Sequence, residues 1–424
     1  MHFYVYKHVF ILKENRKITR FFITLRDSDK TIIAFTNYHN FIKSGTNRKS
    51  KKVTCTGEAR FYAVCKFLNY AFFDSEYKIH NLNAVTVDII SAYLNAYGMG
   101  ELKENDKYRK QTTVDSVIGY IIDFFDEYLL YANQYKIKAK LKRSELYIKK
   151  QIYSKKFKKF IDVNVPRFDV TVISNNKTIF RDIFEGVFTI IMNTIIEEDT
   201  DILMLAASSA FAGLRPSEAC NLLQEDSPLG NGILFYESNA KIDEIILDLD
   251  YERQLRSDGK SVGDIKKERK QKVYPAFIPA FAECYNIYMK HMHGRKYEEK
   301  YAPLTINSQG KAMTYDTYLS RFKKIVVSAR EKMLHSDDPK VCMYGKMLFT
   351  NNLTPHIFRH WFSVKLTLFG EDVAGLQYWR GDKSPNSALT YIANKSELVK
   401  QLNDVSSELY DFSSWMAKEL HDND

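Results

Sequence analysis

The chain has 424 residues, enough for two or three domains that each bury a hydrophobic core. A hydrophobic share of 45% excludes general disorder, and a formal net charge of +10, from 62 Lys and Arg against 52 Asp and Glu, favours a polyanionic partner. Five scattered cysteines without a Cys-x-x-Cys pair are typical of reduced thiols in an intracellular, cytoplasmic protein and predict no metal site. The apolar runs are too short to cross a bilayer, so we expect no membrane association.

The first 135 residues predict strands followed by helices. Three segments rich in β-branched and aromatic residues, HFYVYKHVFIL, ITRFFITLRD and KTIIAFTNY, predict a small β-rich region over residues 1–45. Between residues 53 and 135, apolar side chains recur every three or four positions in three segments. This periodicity predicts a compact helical domain.

Residues 136–165 are the most basic part of the chain. Between Lys136 and Phe160 there are eleven Lys and Arg and a single acid, Glu145, with four aromatic residues interleaved. Positive charge at this density neutralises phosphates with little sequence preference, so the segment predicts a basic linker that binds DNA; the alternative is an ordinary solvated helix face. The residues assigned to DNA binding are Lys136, Lys138, Lys140, Lys142, Arg143, Lys149 and Lys150.

Residues 166–410 predict a mixed α/β domain, followed by a tail over residues 411–424. Helices lead to Arg215, three strand-like segments follow (GILFYES, IDEIILDLDY and QKVYPAFIP), and the pattern is helical again from about residue 275. A last helix is predicted from Ser396 towards Leu420, and it either packs on its own domain or docks on a neighbouring protomer. His291 and His293 lack a third ligand at a suitable spacing and are interpreted as surface residues.

Two arginine-bearing segments carry the chemistry of this domain. The first reads AFAGLRPSEA, where Gly213 ends an apolar helix and Arg215 lies at the start of the next one. The second reads LTPHIFRHWF, where a Thr-Pro pair predicts a helix start and places His356 and Arg359 on one face of the first turn. Guanidinium groups beside helix N-termini are suited to binding phosphate.

A third motif lies at Gly381–Asp382, and Tyr391 follows nine residues after the aspartate. Taken in order, Gly-Leu-Arg-x-x-Glu, His-x-x-Arg-His and the later tyrosine resemble the tyrosine recombinases (phage-type integrases) over roughly residues 170 to 400. The resemblance implies a mainly α, multidomain protein with a small β-sheet. The implied protein has a helical core-DNA-binding domain, a mixed α/β catalytic domain of tyrosine-recombinase type and a small N-terminal β region that can bind accessory arm sites.

The same resemblance implies a site-specific DNA recombinase, an integrase or transposase of a mobile element or phage. Such an enzyme cleaves and rejoins DNA through a 3′-phosphotyrosyl intermediate. In this interpretation Arg215 and Arg359 neutralise the scissile phosphate, Tyr391 attacks it, and His356 takes or shares the tyrosine proton.

In this family, a lysine on a β-hairpin protonates the leaving 5′ oxygen. The segment from Ile265 to Pro275 is similar to that hairpin, with Lys267 the first candidate for the general acid and Lys266 the second. Its distance from the first arginine is longer than the family usually shows, as if residues 240–262 were inserted. Glu218 is expected to orient the arginine three residues before it and a nearby lysine or histidine.

The chain departs from the family at Asp382, where the family has His or Trp. An aspartate brings negative charge towards an anionic transition state, so it cannot simply replace either residue. We therefore expect either that Trp379, Arg380 or His360 takes over the role, or that the enzyme is slow or tightly regulated.

We expect no cofactor, because the sequence shows no acidic cluster with metal-ligand spacing and the phosphotyrosyl bond retains the energy of the cleaved one. The expected partner is double-stranded DNA in the nucleoid, bound by a homotetramer on two DNA sites, with an accessory DNA-bending protein as a further candidate. Two alternatives remain open. One is a resolvase or type IB topoisomerase with the same chemistry, and the other is a catalytically silent DNA-binding relative, which Asp382 favours.

Overall fold

The computed structural model describes residues 1–43, 55–102, 109–154, 159–170, 172, 183–230, 232–239 and 241–382. The chain is mainly helical with small antiparallel sheets, which confirms the predicted fold class. Within this part of the chain, residues 1–10 and 18–172 form one compact unit, and residues 11–17 and 183–382 form a second.

The first unit begins with a three-stranded sheet and continues with three helices. The strands, in the sheet order β1-β2-β3, are β1 (His2–Ile11), β2 (Lys17–Arg26) and β3 (Ile32–Phe35). The helices are α1 (Cys55–Asn69), α2 (Val87–Met99) and α3 (Gln111–Gln134). All six elements fall in the segments whose periodicity predicts them.

The sheet and the helices share one hydrophobic core, whereas the sequence predicts a separate β-rich region ending at residue 45. The carbonyl of Phe3 accepts hydrogen bonds from Cys65 Sγ at 3.1 Å and from Asn69 Nδ2 at 2.9 Å, and the Phe21 ring lies 5.4 Å from that of Phe61. Burial of each phenylalanine side chain contributes about 1.5–3 kcal/mol to the free energy of unfolding. The sheet and the helices therefore depend on the same buried contacts for their stability.

Residues 136–165 contain a two-stranded antiparallel ribbon instead of a plain linker or a helix face. It consists of β4 (Tyr147–Ser154) and β5 (Lys159–Pro166), in a register that pairs Tyr147 with Pro166. The Ile and Val side chains of β5 alternate with polar ones, as a strand requires. The high lysine content of the segment favours its interpretation as a basic linker, and the alternation of apolar and polar residues is then easily overlooked.

The second unit is helical around one small sheet. Its helices are α4 (Glu185–Glu198), α5 (Leu203–Phe211), α6 (Pro216–Ala219), α7 (Ile278–Met292), α8 (Tyr315–Leu334), α9 (Pro339–Met347), α10 (His356–Leu368) and α11 (Val373–Arg380). The sheet has the order β6-β7-β8, with β6 (Ile233–Ser238), β7 (Lys241–Leu249) and β8 (Arg269–Lys272).

Helix α5 lies at the centre of this unit, and every one of its residues is buried. Helix α10 packs against it and buries Phe358 and Phe362 completely. The indole of Trp361 stacks on the ring of Phe188 with centroids 4.0 Å apart and planes 8° apart. This packing fixes the rotation of α10 about its axis, and the rotation decides where the polar side chains of the helix point.

Strands β7 and β8 are joined by the long segment 250–268, so the structure differs from the hairpin predicted over Ile265–Pro275. Only its second strand exists, paired with β7 from Leu249↔Arg269 to Ile246↔Lys272. The expected insertion at 240–262 therefore includes all of β7. β8 is a short edge strand of basic residues with only Gln271 buried, which explains why its partner is not evident from the sequence.

Candidate active site

A glycine turn positions Arg215. Gly213 has φ +64°, and a Cβ at this position would overlap the ring of Phe362, so a larger residue is strained. Arg215 precedes Pro216, the first residue of α6. Its backbone N–H donates to Glu218 Oε2 at 3.2 Å, and its Nη1 donates to Glu218 Oε1 at 3.0 Å. The arginine is therefore held by its own helix start, in the orienting contact predicted for Glu218.

Helix α10 carries His356 and Arg359 in its first turn, as predicted, and begins at His356. Arg359 is only 5% exposed, and its Nη1 donates to the backbone carbonyl of Gly213. This buried guanidinium joins α10 to the turn that positions Arg215. The two arginine-bearing segments, distant in sequence, thus form one site.

Asp382 lies between the two arginines. Its Oδ1 accepts from Arg215 Nη2 at 2.5 Å and from Arg359 Nη2 at 2.8 Å, and its Oδ2 lies 2.9 Å from Arg380 Nε. Its main chain is held on both sides by Gln377, which accepts from Asp382 N at 3.1 Å and donates to Asp382 O at 3.3 Å. At 6% exposure, the carboxylate is a buried anion where three guanidinium groups meet.

A fourth arginine, Arg269 at the start of β8, completes the cluster. Its Nη2 donates to Glu218 Oε2 at 3.1 Å, and its Nη1 donates to the carbonyl of Lys267 at 2.8 Å. Its guanidinium lies against Gly381, which has φ +60° and no room for a Cβ. The sequence gives little sign of this residue, because Arg269 lies in a run of five basic residues among seven.

The cluster has two positive charges in excess. Arg215, Arg269, Arg359 and Arg380 surround two carboxylates, and the side chain of one of them, Glu218, has no exposed surface. Burial would raise the pKa of Glu218, but the charges of Arg269 and Arg215 outweigh it and lower this pKa to about 2. An excess of buried positive charge favours the binding of a further anion.

Burial and then the neighbouring charges of Arg215 and Arg380 lower the pKa of Arg359 to about 9. This value is still well above neutrality, so the guanidinium stays charged. Its charge is therefore available to an anion in a place with little water, where electrostatic interactions are strong.

His356 lies at the exposed start of α10. Partial loss of water around the ring, and second the charges of Arg359 and Arg215, lower the pKa of this imidazole below its ordinary value of 6.5. A neutral imidazole at pH 7 can accept a proton, which is the capacity that a general base needs.

The remaining predicted site residues fall in different places. Lys267 and Lys266 have exposed side chains; their backbones reach the cluster, since Lys267 O accepts from Arg269 and Lys266 N donates to Glu218. His360 is half-buried on α10. Tyr391 and the last predicted helix lie outside the described residues.

The predicted DNA-binding residues belong to the first unit, and all seven are exposed. Arg143 is already paired, because its Nε donates to Asp126 Oδ1 at 2.8 Å. The hydrogen bond and charge of Asp126 raise the pKa of this guanidinium. The other six are lysines: Lys136, Lys138, Lys140, Lys142, Lys149 and Lys150.

The described residues contain neither a metal-binding cluster nor a membrane-spanning helix. Among these residues, no three His, Cys, Asp or Glu side chains are grouped so that they could bind a metal ion. None of the helices in the described ranges has the length and hydropathy that a membrane span requires.

Comparison with known proteins gives matches only among solved structures, since no family model and no curated protein sequence matches the chain. The XerH site-specific recombinase bound to difH substrate is 13% identical, with 79% of this chain and 76% of that chain covered and a TM-score of 0.45. The Tn1549 transposon integrase in complex with circular intermediate DNA is 16% identical, with 84% and 93% covered and a TM-score of 0.47. A lambda integrase dimer bound to a COC′ core site is 13% identical, with 84% and 92% covered and a TM-score of 0.43.

Proposed function

We propose that this protein is a site-specific DNA recombinase, the integrase or transposase of a mobile element, that forms a 3′-phosphotyrosyl intermediate. The observation that carries the proposal is the convergence of Arg215 and Arg359 on one oxygen position, occupied by Asp382 Oδ1. A non-bridging oxygen of a phosphodiester in that position receives the same two donors. Arginine suits this task because its donors are fixed in a planar fork.

The reaction assigned to the site is an in-line displacement at phosphorus. The hydroxyl oxygen of Tyr391 bonds to phosphorus, the bond from phosphorus to the 5′ oxygen breaks, and the phenolic proton passes to His356. Lys267 donates a proton to the departing 5′ oxygen. Arg215 and Arg359 hold the added negative charge of the pentacoordinate transition state, which is the largest contribution expected of fixed charges in a buried site.

Rejoining is the reverse displacement, in which a 5′ hydroxyl attacks the phosphotyrosyl bond and releases the tyrosine. This step exchanges one phosphodiester for another, so it requires no ATP. Exchange between two duplexes requires two cleaved sites at once, which is why we propose a homotetramer on two double-stranded DNA sites. An accessory DNA-bending protein is a further proposed partner.

The exposed lysines of the first unit are proposed to bind the DNA backbone. Their charge supplies affinity that depends on salt and little on sequence. The N-terminal sheet is proposed to bind accessory arm sites. Deleting residues 1–42 tests this only together with the stability of α1–α3, because the strands share their core.

A second candidate is a catalytically silent DNA-binding protein, and the position of Asp382 favours it. The carboxylate takes one donor from each of the two arginines that the reaction requires. A resolvase or a type IB topoisomerase shares the cleavage chemistry and differs only in its outcome, so the same first experiment applies to both.

The test is covalent trapping. The protein is incubated without added metal with DNA from the flanks of its own gene, nicked so that religation fails, and the products are denatured. We expect a denaturation-resistant protein–DNA adduct that is absent from the Tyr391→Phe variant. Tight, salt-sensitive binding of the same DNA without any adduct would instead support the silent DNA-binding protein.

A further inference from the structure

We infer that the carboxylate of Asp382 is an internal substitute for the anionic ligand of this site, and that an incoming phosphodiester displaces it. The identity of the ligand as a DNA phosphodiester rests on the proposed function. The presence of an internal competitor rests only on the geometry of the arginine cluster.

The contacts of the Asp382 carboxylate match those that a phosphate would make. Arg215 precedes α6 and Arg359 lies in α10, and each directs an Nη2 donor at the same oxygen, Asp382 Oδ1. Two charged donors on one oxygen is the arrangement that a non-bridging phosphoryl oxygen receives from a pair of arginines. While Oδ1 holds this position, no phosphate oxygen can occupy it.

The side chain of Asp382 can leave this position without disturbing the fold. Gln377 holds only its main chain, through the two hydrogen bonds to Asp382 N and O. Rotation of the side chain alone therefore removes Oδ1 from the two arginines. Oδ2 already lies 2.9 Å from Arg380 Nε, so the displaced carboxylate keeps one positively charged partner.

Arg380 is buried and is fixed independently of Asp382. Its Nη1 donates to Ser363 Oγ at 2.8 Å, and this hydroxyl in turn donates to the carbonyl of Arg359 at 2.9 Å. The guanidinium thus stays in place when the carboxylate moves. We assign to Arg380 the role of positioning residue for the displaced Asp382.

The net charge of the arginine cluster also permits an anion to replace Asp382. The excess of two positive charges in the cluster remains after Asp382 moves, since the aspartate stays beside Arg380. A singly charged phosphodiester reduces this excess without reversing it. The internal carboxylate therefore lowers the affinity for anions by occupying the binding position, in the way that a poorly populated competent state lowers apparent affinity.

The experiment measures binding of inorganic phosphate by isothermal titration calorimetry to the full-length protein and to its Asp382→Asn variant, at low salt and pH 7. Asparagine keeps the shape of the side chain and removes the charge. We expect the variant to bind phosphate at least about tenfold more tightly, a difference of about 1.4 kcal/mol. The matched control is Asp316→Asn, which removes the same charge from an exposed side chain in the first turn of α8 and is expected to bind phosphate as the wild type does.

Phosphate affinity that is unchanged or weaker in Asp382→Asn overturns the inference, because the carboxylate would then organise the arginines instead of competing for them. A tightening of equal size in Asp316→Asn also overturns it, since the effect would come from net charge. Asp382→His is a second variant that removes the carboxylate, and it is expected to tighten phosphate binding in the same direction.

This result is independent of the proposed recombinase activity, because phosphate binding requires neither DNA nor Tyr391. A wild-type protein that forms no adduct, with tighter phosphate binding in Asp382→Asn, refutes the proposed function and supports the internal competitor. If the wild-type protein forms the adduct and Asp382→Asn binds phosphate more weakly, the proposed function is supported and the internal competitor is refuted.

Discussion

Removal of the charge of Glu218 is expected to destabilise the second unit by about 3 kcal/mol. The pKa of this carboxyl falls from 4.5 to about 2 in the folded protein, a difference of roughly 2.5 units at 1.36 kcal/mol per unit. The carboxylate has no exposed surface, so solvent does not reduce its interactions with Arg215 and Arg269. The Glu218→Gln variant keeps the shape of the side chain. It removes the buried counter-charge of Arg269 and leaves Arg215 with Asp382 alone.

The measurement is urea unfolding at pH 7, followed by tryptophan fluorescence. This signal reports on the second half of the chain, because all three tryptophans lie after residue 360. The control is Glu244→Gln, which removes a carboxylate from a partly exposed ion pair with Lys272 and is expected to cost less than about 1 kcal/mol.

The pH dependence gives a second check on Glu218. Its folded pKa is depressed, so its stabilising effect is complete above pH 4.5 and is lost as the pH falls towards about 2. The difference in stability between wild type and Glu218→Gln should therefore shrink over this range. A loss below about 1 kcal/mol at pH 7, or a difference that stays constant down to pH 3, would refute the reasoning.

Three further predictions follow from the geometry. Gly213→Ala is expected to destabilise the protein by about 2–4 kcal/mol in the same urea assay, because alanine is strained at φ +64° and its Cβ overlaps the ring of Phe362; an unchanged midpoint would show that the turn is not constrained. His356 is expected to titrate below pH 6.5 by NMR, and the midpoint should rise when Arg359 is replaced by Met, since a positive charge that opposes protonation is removed. Log affinity for DNA is expected to fall less steeply with log salt concentration when Lys149 or Lys150 is replaced by Ala, with the slope reduced in magnitude by about 1 for each lysine. Equal slopes would place them away from DNA.

The secondary structure of the chain is well predicted where the apolar pattern is strong. The three N-terminal strands are rich in β-branched and aromatic residues, and apolar residues recur every three or four positions in helices α1 to α3. Their segments are therefore evident from the sequence. The packing of the sheet on the helices is not evident from the sequence, because it depends on contacts such as that of Phe21 with Phe61, which no local pattern specifies. The predicted boundary at residue 45 follows a change from strand-like to helical periodicity, and it divides one hydrophobic core into two.

The candidate site was predicted in part, for a related reason. Arg215, His356 and Arg359 lie at helix starts, and helix starts have recognisable sequence signals. Arg269 lies in a short strand among other basic residues, and only the pairing of β8 with β7 brings it to Glu218. The position of Asp382 on both arginines is also a tertiary fact, which follows from the turn at Gly381 and from the hydrogen bonds of Gln377.

The hydrogen bond from Arg359 to the carbonyl of Gly213 also affects when the site can form. The two residues are 146 positions apart, so this contact cannot form until the ribosome has made the chain beyond α10. Contacts between such distant segments form late in folding, because the loop between them must close first. A chain that ends before Arg359 therefore contains Arg215 without its partner arginine, and we expect such a chain to lack the paired anion site.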